Sequence, residues 1–323
     1  MQPLKLTVII PTYNRAEMLG ETLATLVTQD FDKSQYEVLV VDNASTDATR
    51  QVVEQWEKKT NGLIRYLYEL RPGSHYARNG AVKHAKGEIL YFTDDDVLAQ
   101  PDMLTEILKP FEDKTVVTAT GAVRPKWLVE PPQWVKKYLS NYLLSLNEME
   151  QKWIVSDDDQ GIFSCHQAVR KDWFVRAGGY NPDIVNGEWV GDNETGLNIK
   201  MKNLGGRFAY NGAAIIYHQI PASRMTQAYL NKRLANQGNC DAYTEYRKHH
   251  HTNEELKAQN KTYWHKAMSC LYKAYKLRFI KHNDAWHLKR AEYEYFMNRI
   301  RYNEKLMTNP QWRELVLKDN WID

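Results

Sequence analysis

The chain has 323 residues, 43% of them hydrophobic, with 43 Lys/Arg against 40 Asp/Glu. That is enough apolar material for a sizeable core in one large or two smaller domains, and a net charge of +3 gives no case for nucleic acid as a partner. Three scattered cysteines (Cys165, Cys240, Cys270) make neither a disulfide framework nor a zinc spacing, and they fit a reducing compartment.

Residues 6–10 (LTVII) form a β-branched apolar run stopped by Pro11, the pattern of a strand buried on both faces. Residues 17–28 carry Met18, Leu19, Thr22, Leu23 and Leu26 at helical spacing. Residues 37–41 (EVLVV) predict a second strand ending at Asp42-Asn43, and Ser45-Thr46-Asp47 starts a helix to about Lys59. A third strand is expected at 63–68, a helix at 75–86 closed by Gly87, and a fourth strand at 88–93. Strands and helices alternate, which defines an α/β layer with a mostly parallel sheet.

Beyond residue 100 the pattern loosens. Strands are expected at 115–123 and 161–170, with a Pro/Trp-rich loop at 124–134 and a short helix from Lys171. Gly178-Gly179-Tyr180 reads as a turn, 192–204 as a helix capped by Gly205-Gly206, and 207–218 as two short strands ending at His218. From 221 onward the chain reads as helical. His249-His250-His251 reads as a solvated loop, with metal binding as the rarer alternative.

The charge is uneven. Residues 221–323 hold 19 Lys/Arg against 11 Asp/Glu, and 15 of the 38 aromatic residues. Within them, 262–282 place Trp264, Met268, Leu271, Tyr275 and Phe279 on one helical stripe beside Lys266, Lys273, Lys276, Arg278 and Lys281. Such a stripe suits a membrane interface, and it equally suits packing on a catalytic domain. The N-terminal apolar run is too short for a signal segment. No stretch approaches the roughly 18 apolar residues of a membrane helix. The expected location is cytoplasmic, with peripheral contact on the inner face of the membrane through 262–282 as an option.

Asp94-Asp95-Asp96 directly follow the fourth strand, at the sheet edge where α/β sheets bind ligands. Adjacent carboxylates repel, and a hard divalent cation such as Mg²⁺ or Mn²⁺ relieves that repulsion. Such ions keep positions open for substrate phosphates. The plainer alternative is an acidic helix start.

Six stretches in order then carry a resemblance. Thr7-Val8-Ile9-Ile10-Pro11-Thr12-Tyr13-Asn14-Arg15, Val40-Val41-Asp42-Asn43-Ala44-Ser45-Thr46-Asp47, and the series Arg71-Pro72-Gly73, Ala77-Arg78-Asn79-Gly80, Phe92-Thr93-Asp94-Asp95-Asp96 resemble the nucleotide half of family 2 glycosyltransferases. Gly178-Gly179-Tyr180, Gly191-Asp192-Asn193-Glu194 and Ala213-Ala214-Ile215-Ile216-Tyr217-His218 resemble the acceptor half. The resemblance covers about residues 5–240. It implies a GT-A fold, Rossmann-like, with a catalytic domain over 1–220 (nucleotide-sugar half about 1–100, acceptor half about 101–220) and a helical C-terminal extension over 221–323.

It further implies a metal-dependent, inverting transfer from a nucleoside-diphosphate sugar to a glycan or lipid-linked acceptor in surface-polysaccharide biosynthesis. The donor is expected to be a UDP-sugar, with GDP- or dTDP-sugars as alternatives. Pro11, Thr12, Tyr13, Asn14, Arg15, Asp42, Asn43, Arg71, Arg78, Asn79, Asp94 and Asp95 would bind the donor, and Asp96 and His218 the Mn²⁺ or Mg²⁺. Asp192 is the first candidate for the base and Glu194 its rival, because the family's Glu-Asp pair is Gly191-Asp192 here. Trp127, Trp134 and Trp189 are acceptor-side candidates; Trp127 and Trp134 could equally be loop anchors. Processive synthases of the family carry Gln-x-x-Arg-Trp and membrane helices, which this sequence lacks, so a single addition is expected. Two rivals are a sugar-phosphate nucleotidylyltransferase, which would want glycines after the first strand, and a catalytically inactive glycan-binding scaffold.

Overall fold

The computed structural model describes residues 4–139 and 141–322. The chain begins with β1 (Leu4–Thr12), α1 (Ala16–Val27), β2 (Tyr36–Asp42), α2 (Thr49–Lys59), β3 (Ile64–Tyr68), α3 (Ser74–Ala81) and β4 (Gly87–Thr93). It continues through β5 (Val97–Ala99), α4 (Met103–Leu108), β6 (Val116–Trp127), α5 (Gln133–Tyr138), β7 (Trp153–Ser156), β8 (His166–Arg170) and α6 (Lys171–Arg176). Next come β9 (Ile184–Val185), β10 (Glu188–Trp189), α7 (Glu194–Asn203) and β11 (Arg207–Ile220). Four helices finish the described chain: α8 (Gln227–His249), α9 (Asn253–Tyr275), α10 (Trp286–Thr308) and α11 (Pro310–Leu317).

The main sheet runs β3-β2-β1-β4-β8-β6-β11-β5, with β7 also paired to β11. β3, β2, β1 and β4 are mutually parallel, and β8 runs antiparallel between β4 and β6. The continuous apolar runs follow from this layering. Leu6, Val8 and Ile10 of β1 enter the core on the α1 side, and Ile9 enters the opposite core beside Ala77 and Phe174. Val38 and Val40 alternate with Leu39 and Val41, and Tyr91 with Leu90 and Phe92, in the same way. Both faces are covered over residues 6–10, 36–42 and 89–93, and only Lys5 and Glu88 near the strand starts are exposed.

Several boundaries differ from the sequence reading. Gly87 does not close a helix: it opens β4, and a Cβ there would lie 2.4 Å from the backbone of Leu6 and Thr7. Residues 124–127 are not loop, because β6 continues through Pro125 to Trp127 against β11. The expected two strands of 207–218 are one long β11, with its register shifted between Asn211 and Ile215. The short strands β5 and β7 escaped notice because three or four residues carry no period.

The C-terminal helices are packed onto the rest. Tyr243, Tyr246, Tyr302, Leu306, Trp312 and Trp321 form a third core with Val185 and Val190. The amide of Trp321 donates to Gly178 O at 2.8 Å. His249 ends α8, and His250 caps it in the left-handed conformation at φ 51°, so the histidine run is a helix terminus. Among the described residues no helix is long and apolar enough to cross a membrane.

Candidate active site

Asp94, Asp95 and Asp96 form the turn between β4 and β5, which rules out the helix-start alternative. The turn is pinned from both sides: Thr22 Oγ1 donates to Asp95 O at 2.9 Å, and the Gln219 amide donates to Asp96 O at 2.9 Å. The three side chains then part. Asp94 Oδ1 accepts from Arg78 Nη2 at 2.7 Å. Asp95 accepts from Thr12 Oγ1 at 2.7 Å and from Arg15 Nη1 at 3.0 Å. Asp96 Oδ2 accepts from Arg15 Nη1 at 2.8 Å and Arg224 Nη2 at 2.7 Å.

These contacts set the charges. Burial, with the neighbouring Asp96 and Asp94 charges, pushes the Asp95 carboxyl up to about 6 against the pull of Arg15. Burial would raise Asp96 as well, but the guanidinium groups of Arg224 and Arg15 pull against it, and that carboxyl is held well below the usual range. Burial works against the charge on Arg78, and Asp94 first among its surroundings keeps its pKa raised.

Strand pairing brings His218 to this turn, since β11 places it opposite Val97. Its Nδ1 lies 2.9 Å from Leu144 O, so the hydrogen-bond network assigns the proton to Nδ1. Nε2 is left with its lone pair facing Asp96 Oδ1 at 3.4 Å. That Asp96 oxygen is buried without a hydrogen-bond partner. A backbone-oriented imidazole and an orphaned carboxylate oxygen sharing one space suit a divalent cation. Among the described residues no three such side chains already form a coordinating cluster. The pair would therefore hold an ion whose other positions belong to substrate and water.

Asp42, at the end of β2, is buried; its Oδ1 accepts from the Ser45 amide at 2.8 Å and its Oδ2 from Tyr66 OH at 2.8 Å. Asn14 stands at φ 52°, with Oδ1 accepting from the Thr46 amide at 2.7 Å, so the β1 and β2 loops are tied together. Pro11 is the last residue but one of β1, and Tyr13 beyond the strand is exposed. Asn43 ties to Arg71 O at 2.7 Å, and Arg71 pairs with Glu69 and covers the Tyr76 ring.

Asn79 sits elsewhere: its amide donates to Tyr180 O and Trp321 O and accepts from the Tyr180 amide, so it braces the Gly178-Gly179 turn. Gly179 has φ 71°, and a Cβ there would lie 2.7 Å from Asn79 Oδ1. The three tryptophans act as anchors. Trp127 packs on the main core, Trp134 stacks on His287 at 4.0 Å, and Trp189 donates to Gly191 O at 3.0 Å.

The two base candidates face different surroundings. Asp192 has both oxygens engaged, by Asn181 at 2.9 Å and Thr244 at 2.7 Å, and it lines a cavity of about 370 Å³ with Cys240, Asp241 and Thr244. Among the described residues Glu194 has no side-chain partner of this kind, and it lies in the field of Arg78, Arg233 and Asp94. Burial raises both carboxyls. Between them Asn193 is held at φ 46°, ψ −113°, a conformation unfavourable for a side chain with Cβ. On its two sides, Glu194 lies in the field of Arg78 and Asp94, and Asp192 in that of Arg247 and Lys200.

Three contributors were missed from sequence. Tyr66 lies mid-strand and reads as core. Arg224 and Arg233 lie past the last recognised motif. The β9–β10 hairpin carrying Trp189 had a signal, Asn186-Gly187, the favoured pair for a two-residue turn; both residues have positive φ.

The sequence profile of glycosyl transferase family 2 matches residues 7–174, just over half of the chain, and the chain belongs to that family. A poly(ribitol-phosphate) β-N-acetylglucosaminyltransferase, TarS of Staphylococcus aureus (strain Mu50 / ATCC 700699), is 43% identical over 93 residues. That match spans 29% of this chain and only 16% of TarS. The succinoglycan biosynthesis protein ExoM of Rhizobium meliloti (strain 1021) is 25% identical over 238 residues, 73% of this chain and 74% of ExoM. The mannosyltransferase PcManGT from Pyrobaculum calidifontis shares the fold, with a TM-score of 0.59 and 22% identity over 98% of this chain and 84% of that one.

Proposed function

We propose that the chain moves one sugar from a nucleoside-diphosphate sugar to a glycan or lipid-linked acceptor, with inversion, in surface-polysaccharide assembly. The observation that carries this reading is the division of Asp94, Asp95 and Asp96 among Arg78, Arg15 and Arg224 at the edge where β1, β2 and β4 end. Carboxylates and guanidinium groups beside one another suit a ligand that combines sugar hydroxyls, diphosphate and a divalent cation. The PcManGT structure is described with GDP-Man and Mn²⁺, a combination of the same chemistry.

Asp42 and Asn14 would receive the base, with Tyr66 keeping the Asp42 carboxylate in place. A UDP-sugar is the favoured donor. Asp94 would meet the ribose or sugar. Asp96 and His218 would hold Mn²⁺ or Mg²⁺, which when bound supplies Lewis-acid neutralisation of the leaving diphosphate. Glu194 replaces Asp192 as the base. It takes the acceptor proton because, among the described residues, no other side chain hydrogen-bonds to its oxygens, and burial lifts its basicity. Attack guided by Glu194 from the face opposite the diphosphate inverts the anomeric carbon.

The C-terminal stripe faces solvent rather than the catalytic domain. Trp264, Leu271, Tyr272, Tyr275, Phe279 and Ile280 are exposed, while Ala267, Cys270 and Ala274 are the buried face of α9. Exposed aromatics flanked by Lys273, Lys276, Arg278 and Lys281 suit an anionic lipid surface, where a lipid-linked acceptor would be met on the cytoplasmic side. The test of the function is release of nucleoside diphosphate from a panel of UDP-, GDP- and dTDP-sugars with Mn²⁺. Release from one sugar donor that stops with EDTA supports the reading. Release from none by the folded protein contradicts it.

A further inference from the structure

Arg224 stands on the short turn between β11 and α8, three residues beyond Pro221 and outside every recognised motif. Its guanidinium makes two contacts at once. Nη1 lies 2.6 Å from His218 Nε2, and Nη2 lies 2.7 Å from Asp96 Oδ2. His218 and Asp96 are the two side chains suited to the cation. One guanidinium therefore spans both of them, and it donates into the His218 lone pair that a cation would need. Arg224 and a divalent ion cannot share that lone pair.

The pairing is also costly to abandon. Asp96 and His218 are almost fully buried, and a buried carboxylate stripped of its cationic partners is strongly disfavoured. Arg224 itself keeps 17% of its side chain exposed, on a turn of only three residues, so it can swing without moving a helix. What it would swing towards has the same chemistry as what it leaves. A diphosphate presents paired oxygens that a guanidinium fork binds as well as it binds a carboxylate.

We infer that Arg224 is a positioning residue that exchanges partners: it holds Asp96 and His218, yields them to the cation, and takes the donor's diphosphate instead. This rests on the proposed transferase reading and adds a linkage to it. Cation and diphosphate each remove an obstacle to the other, so their binding is mutually reinforcing, and the reinforcement is equal in both directions.

The test measures binding, not turnover. Mn²⁺ is titrated into the full chain by calorimetry, alone and with saturating UDP or GDP, for the wild type, Arg224→Ala and Arg224→Lys. The wild type should bind Mn²⁺ at least about tenfold more tightly with the nucleotide than without, the scale of one charge-assisted contact. Arg224→Ala should bind Mn²⁺ alone at least about tenfold more tightly than the wild type and lose most of the nucleotide's reinforcement. Arg224→Lys keeps the charge but not the fork, and should fall between the two. It also serves if the alanine variant fails to fold. Unchanged or weaker Mn²⁺ binding by both variants, with reinforcement intact, would overturn the exchange while leaving the transferase reading standing. Absence of Mn²⁺ and nucleotide binding in the folded wild type would overturn both.

Discussion

Arg78 Nη2 lies 2.7 Å from Asp94 Oδ1, and the same guanidinium reaches Ser74 Oγ at 2.7 Å. This one side chain, almost wholly buried, joins α3 to the β4–β5 turn and fixes which way Asp94 points. Ser74 in turn donates to Asp183, which also meets His75 Nδ1 at 2.6 Å, so the acceptor-side loop is held to the same helix. Arg78→Lys keeps the charge and loses the fork. It should cost about 1–3 kcal/mol of stability and weaken nucleoside diphosphate binding, read by urea unfolding and calorimetry. Wild-type values for both would show that the bridge is idle.

Glu194 and Asp192 make a sharper comparison. Glu194→Gln should lower sugar transfer by about 10²–10⁴ while nucleotide affinity stays near wild type, the signature of a lost general base. Asp192→Asn keeps one of its two hydrogen bonds in place and should cost about 1 kcal/mol of stability with a smaller loss of rate. The reverse order of effects on rate would return the role to Asp192.

His166 sets an acid limit. It is fully buried on β8, with Nε2 against Ala214 O at 3.0 Å and Nδ1 against Tyr91 OH at 2.8 Å. Burial lowers its pKa from 6.5 to about 4. Between those values the unfolded chain binds a proton that the folded chain refuses. Stability from this group is intact above about pH 6.5 and falls as pH drops towards 4, by about 3 kcal/mol in full. Urea titrations at pH 7 and pH 5 should show the loss, and His166→Gln should flatten it. An equal slope in the variant would assign acid sensitivity to other groups.

The α9 stripe gives a surface test. Trp264→Ser with Phe279→Ser should leave folding within about 0.5 kcal/mol, since both rings are exposed. The same pair should reduce co-sedimentation with anionic vesicles, and added salt should reduce it for the wild type too. Vesicle binding unchanged by the double substitution would exclude this face as the contact.

The first hundred residues were legible because their strands are buried on both faces: LTVII, EVLVV and EILYFT have no polar face to confuse the pattern, and each ends abruptly in polar residues. Strand order therefore brings those ends to one sheet edge, while the roles expected of their residues rest on the resemblance. The later part of the chain was not legible in the same way. His218 reaches Asp96 only through the antiparallel β5–β11 pairing, and a three-residue strand leaves no trace in sequence. Arg224 meets Asp96 across 128 positions. The choice between Asp192 and Glu194 turns on their surroundings, and no residue pattern announces the positive φ of Asn193 between them. The α9 stripe is legible as a stripe, but which way it faces depends on α10, which packs along α9, and the buried face of α9 is made of Ala267, Cys270 and Ala274, small residues that carry little hydrophobic signal.

The central claim is that Asp96 and its neighbours form a cation-dependent nucleotide site. Calorimetric titration with UDP, GDP, dTDP and CMP, each with Mn²⁺ and again with EDTA, tests it most directly. One nucleotide should bind with Mn²⁺ and lose that binding in EDTA, and Asp96→Ala should abolish the difference. Binding of the same nucleotide at equal strength with and without the cation would contradict the assignment of Asp96 and His218. Binding of none, by the folded chain, would contradict the donor site itself.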